Sequence, residues 1–123
     1  MSEAIMNAQQ AILTFSQSDK IKAGLIWTSQ ALEAYIHMPE DEKTGSIKII
    51  RIFINTIMHD IHIAQKVAQD SLWNEVARHM DMSIVMIDSG VPHEATFHLG
   101  QALSQVTTIA QRCMVFLQEQ GLL

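Results

Sequence analysis

Apolar residues recur along this chain at spacings of three and four, the pattern of helices that bury one face. Ile5, Ala8, Ile12 and Phe15 share such a face and predict a first helix from about Glu3 to Phe15. A second stripe, Ile21, Leu25, Thr28, Leu32 and Tyr35, is out of phase with the first. The change of phase predicts a break over residues 16–19, with Ser18 or Asp19 capping a second helix from about Lys20 to Met38. Pro39 ends that helix, because a residue before proline is driven out of the α region.

Residues 40–46 are acidic and contain Gly45; they read as a connection, with Ser46 as the N-cap of a third helix from Ile47 to about Ala68. The seam of that helix is Ile50, Ile54, Ile57, Ile61, Ala64 and Ala68. Ile49, Ile52, Ile63 and Val67 give it a second apolar side. Only Lys48, Arg51, Asn55, His59, His62 and Lys66 form a polar stripe. A helix this apolar is either central to its bundle or lines a subunit interface as well as the core. No glycine or proline lies between Gly45 and Gly90. An unbroken helix over that stretch would run about 65 Å, so a break is placed at Gln69, Asp70 and Ser71, with Asp70 or Ser71 as N-cap.

The fourth helix turns Leu72, Trp73, Val76, Met80, Ile84 and Ile87 inward and stops at Ser89-Gly90. The last begins near Pro92, runs to about Gln120 and has the seam Leu99, Leu103, Val106, Ala110, Cys113 and Leu117. Long helices joined by short loops pack as antiparallel neighbours. The expected fold is all-α: one domain over residues 1–123, an antiparallel bundle of four to five helices.

Composition narrows what such a bundle does. A formal net charge of −5, with eight Lys and Arg and no cluster of them, argues against nucleic acid and against an anionic membrane surface as partners. The most apolar stretch, residues 47–63, is interrupted by charges and histidines and is not a membrane span. Cys113 is the only cysteine, and the first residues lack the pattern of a signal peptide. Both features point to a reducing, cytoplasmic setting.

Six histidines are many for 123 residues. Glu33/His37, Glu75/His79 and Glu94/His98 are each four apart, which on a helix puts carboxylate and imidazole on one face. His59 and His62 sit one turn apart. Imidazole with carboxylate suits zinc, iron or copper, and Glu75, His79 and His98 are the best-placed ligands. The same spacing is also that of an ordinary helix ion pair. The pattern differs from the Glu-x-x-His of di-iron bundles by one residue, and the further glutamates of that motif are missing. Asp60 falls among apolar residues, and is expected to pair with a Lys or Arg across the bundle or across a dimer interface.

His98-Leu99-Gly100 resembles in outline the phospho-accepting histidine of phosphotransfer bundles, but the lysine that accompanies such a histidine is missing. Cys113 lies on a seam and reads as a core thiol. No catalytic triad, phosphate loop or paired-cysteine motif is present. The expectation is therefore a non-enzymatic interaction protein of adaptor, chaperone or scaffold type. It is expected to bind a partner helix in an apolar groove, as a homo-oligomer, through Ile49, Ile52, Ile63, Val67, Met82 and Met86. No cofactor is expected. A metal-binding bundle is the first alternative, and a histidine phosphotransfer domain the second.

Overall fold

Helical periodicity resolves into four helices in a computed structural model that describes residues 6–123. They are α1 (Ala8–Ile36), α2 (Glu40–Val67), α3 (Ser71–Asp88) and α4 (Pro92–Glu119). The connections are short, so successive helices run antiparallel. α1 packs on α2 and α4, and α3 packs on α2 and α4, which closes a four-cornered bundle. The α2–α3 contact is the thinnest of the four. Among the described residues there are no strands.

Each helix contributes one stripe to a common core. Leu25 and Leu32 from α1, Ile54 and Ile61 from α2, Trp73 and Met80 from α3, and Leu99 and Val106 from α4 are fully buried. Burying an aliphatic side chain of this size contributes about 1.5–3 kcal/mol, so the stripe rather than helix propensity holds the helices.

The helix ends follow local chemistry. Asn7 and Gln10 form a reciprocal capping box at the start of α1. The Asp70 side chain accepts a hydrogen bond from the Leu72 N–H and starts α3, as the sequence led us to expect. Gly90, at φ +79°, terminates α3, and the Val91 N–H returns to the Met86 carbonyl.

Two expected boundaries are corrected. Residues 16–19 do not break the chain: α1 is one helix of 29 residues, and the bundle has four helices. Its buried stripe is Ala11, Thr14, Ser18, Ile21, Leu25, Thr28 and Leu32. The stripe keeps its phase by passing through small polar residues, which an apolar count skips. Ile12, assigned to the inner face, is 53 % exposed. The second correction is the start of α2, which is Glu40 rather than Ile47. Pro39 stands at its N-cap, and Glu40, Asp41 and Glu42 occupy the first turn, where the helix dipole favours negative charge. Ser46 is no cap; its hydroxyl donates back to the Glu42 carbonyl inside the helix. The expected Ile5 contact lies outside the described residues.

Ser18 is fully buried, and its hydroxyl has no hydrogen-bond partner. Ser18→Ala is therefore predicted to leave stability unchanged or raise it by up to about 1 kcal/mol. Ser18→Pro should cost about 3 kcal/mol or more if α1 is continuous. Urea unfolding of the two variants checks both, and a well-tolerated proline would place a break at residues 16–19 after all.

Candidate functional site

Two features stand out from the bundle: an apolar face on α1 and α2, and a histidine pair between α3 and α4.

The face follows from the register of α1 against α2. Gly24 lies so close to Ile57 that an added Cβ would come within 3.2 Å of the isoleucine. One turn away, the Lys20 ammonium pairs with Asp60 at 3.3 Å, and Gln17 Nε2 donates to the Asp60 carbonyl. At the far end Gln10 Nε2 donates to the Val67 carbonyl. Asp60 thus finds the cationic partner expected of it, within the same chain. These rungs set Trp27 level with the Phe53 turn and Leu13 level with the Val67 turn. Leu13, Lys20 and Trp27 are seven residues apart on α1, as are Ile49, Thr56 and Ile63 on α2. Each set forms a straight row, and both rows point away from the core.

Four row residues and two beside them are open to solvent: Trp27 is 67 % exposed, Ile49 51 %, Leu13 45 % and Ile63 40 %, with Ile52 at 57 % and Phe53 at 42 % next to the α2 row. Val67 is half-buried at the edge of the same face. α2 is therefore a corner helix with an uncovered second side, not the centre of the bundle. Met82 and Met86 are half-buried on α3, and Met86 packs on the core. They lie away from this face, so the six residues expected to share one interface fall on two separate sides. Leu13, Trp27 and Phe53 escaped the sequence reading. The signal was present in Trp27, which stands off the seam of its own helix.

The histidine pair joins α3 to α4. Nδ1 of His79 lies 3.0 Å from Nδ1 of His98, and the ring centroids are 5.2 Å apart. The edge of Phe97 packs against His98 at 5.3 Å. Arg78 approaches Nε2 of His79 at 3.4 Å. A guanidinium only donates, so Nε2 accepts, and the neutral His79 ring carries its proton on Nδ1 and donates to His98. Burial first, then the charge of Arg78 and the presence of His98, hold the His79 pKa below its ordinary value; Glu75 opposes them.

The structure thus brings together two of the three expected ligands. Glu75 instead accepts from Arg78 at 2.9 Å. Among the described residues no three His, Cys, Asp or Glu side chains form a ready metal cage. Glu33 and His37 make an exposed ion pair at 3.4 Å, and Glu94 lies nearest His93, at 3.8 Å. His59 and His62 are exposed on α2.

A cleft of about 820 Å³ between the start of α1, the α2–α3 connection and α4 is lined by Thr14, Ile109, Cys113 and Phe116. Burial, reinforced by Asp70, pushes the Cys113 thiol up to about 11, which leaves it protonated and unreactive. No helix among the described residues is long and apolar enough to cross a membrane. The fold and these sites define an antiparallel four-helix bundle. Compared with protein-family models, curated proteins and solved structures, the chain finds no match.

His79 binds fewer protons in the folded chain than in the unfolded one as pH falls through about 6.5. Its contribution to stability is complete above that pH and is lost as pH falls towards the lower folded value. The slope is at most about 1.4 kcal/mol per pH unit for one group. Denaturant unfolding between pH 7.5 and 5 should show this loss in the wild type and a smaller one in His79→Asn. Equal slopes would mean that His79 is not held neutral.

Proposed function

We infer that this chain is a helical interaction protein that works through the α1–α2 face, and that the face pairs with a second copy of itself. The observation that carries the reading is the pair of outward rows on adjacent helices, uncovered in the single chain. Rows seven residues apart are what one helix pair needs to seat the ridges of another.

Size supports the same reading. The six exposed side chains leave on the order of 500 Å² of apolar surface in water, the upper end of what a monomer shows. Lys20 and Thr56, in the middle of the two rows, and Ser16 beside them add polar area and bring the face towards the ~800 Å² per partner of a stable interface. A two-fold axis through a flat helix pair sets the same surface against itself, the commonest arrangement of homo-oligomers. The Lys20–Asp60 pair would then sit inside the contact and fix its register, a role in which ion pairs are well attested.

Because Ile52 and Ile63 face outward, Ile52→Asp and Ile63→Asp should leave the monomer folded, with stability changed by less than about 0.5 kcal/mol. Sedimentation velocity should find the wild type associated and both variants monomeric. A wild type that is monomeric at high micromolar concentration, or an oligomer that survives both substitutions, would remove self-association from the reading.

A further inference from the structure

The contact between α3 and α4 holds a second site, independent of the α1–α2 face. From the geometry of His79 and His98 we propose that the two Nδ1 atoms chelate a divalent transition-metal ion of the zinc and copper class.

The distance is the first reason. Two imidazole nitrogens bound to one zinc ion at about 2.0–2.1 Å in tetrahedral geometry lie about 3.3 Å apart. The two Nδ1 atoms are already 3.0 Å apart, so turning the two rings to aim both lone pairs at one point, with little change in that distance, makes the site. That pairing is built rather than accidental. His79 comes from α3 and His98 from α4, on rigid helices, with Phe97 packed edge-on against the second ring. His79 is 7 % exposed, and His98, half-buried, is the more open of the two to solvent.

The groups around the pair set its affinity. In the metal-free tautomer the His79 Nδ1 proton points at His98. Binding needs the Nδ1 lone pair, so the single ring proton leaves Nδ1 and Nε2 is protonated in its place, facing the Arg78 guanidinium with no net proton released. Arg78 therefore opposes the ion, both through its charge and through this tautomer. It also holds Glu75, the carboxylate one turn before His79. Arg78 thus acts as a guard on a two-histidine site, and its removal frees a carboxylate as well as relieving a repulsion. The remaining coordination positions belong to water, as in open sites. Copper should bind more tightly than zinc, following the general order for nitrogen ligands.

The test is calorimetric titration of untagged, chelator-stripped protein with zinc and with copper at pH 7.5. One ion per chain is expected, with copper the tighter. His98→Gln, at the half-buried position, should weaken binding about tenfold or more with the helical circular dichroism unchanged, and His79→Gln should do the same. Arg78→Gln should tighten binding several-fold, an effect that a merely structural histidine pair would not produce. His59→Gln/His62→Gln should leave it unaltered. Absence of binding at millimolar ion, binding indifferent to His98→Gln, or binding abolished by the His59/His62 change would each overturn the proposal.

Discussion

A closed four-helix bundle buries one stripe of each helix, and that limit governs this molecule. α3 and α4 are composed for it, with apolar or small residues on the stripe and mostly polar ones outside. α1 leaves Ile12, Leu13, Ile26 and Trp27 exposed, and α2 is not composed for it either. Its stripe of Ile50, Ile54, Ile57 and Ile61 fills the core, and then Ile49, Ile52 and Ile63 remain over. The neighbouring row on α1 adds Leu13 and Trp27. Scattered exposed apolar residues are normal on a protein surface, but rows aligned on adjacent helices are not scattered. The surplus on α2 leaves the bundle with an uncovered apolar side.

The close approach of α1 to α2 makes that surplus a surface. Gly24 lets Ile57 come up against the α1 backbone, and Lys20, Gln17 and Gln10 hold the register along the contact. Were the helices splayed or slipped by a turn, Trp27 and Phe53 would not share a level. Packing thus determines the shape of the face, and the polar rungs determine its alignment. The opposite side of the bundle is different. α3 and α4 meet through His79 and His98, a polar contact placed where the other side has hydrocarbon, and Arg78 sets the direction of its protons.

Much of the fold was legible in the spacing of apolar residues. Isoleucine, leucine, valine and tryptophan mark most of the seams of α2, α3 and α4, but on α4 the buried residues include Ala102 and Ile109, while Leu103 and Ala110 of the expected seam are half-buried. α1 was split because its stripe continues through Thr14 and Ser18, whose small side chains suit a tight helix contact but carry no apolar signal. The start of α2 was missed because Gly45 and an acidic run look like a loop, whereas the acids favour a helix N-terminus. The sites divide in the same manner. Glu-x-x-x-His spacing singled out His79 and His98, yet spacing along one helix says nothing of what the next helix brings near. Their 3.0 Å meeting is tertiary, and so is the loss of Glu75 to Arg78. Met82 and Met86 were grouped with the α2 isoleucines by residue type, and the bundle separates them.

The central claim is that water is excluded from the α1–α2 face when copies meet, and the two tryptophans offer a direct reading of it. Trp73 is fully buried and Trp27 is 67 % exposed. In a Trp73→Phe variant that retains its helical content, Trp27 is the sole tryptophan, and its emission reports the face alone. Self-association predicts that the emission moves to shorter wavelength as protein concentration rises, in step with the mass measured by sedimentation equilibrium. Emission that stays solvent-like while the mass stays that of one chain, or an oligomer that forms with Trp27 still in water, would contradict the claim.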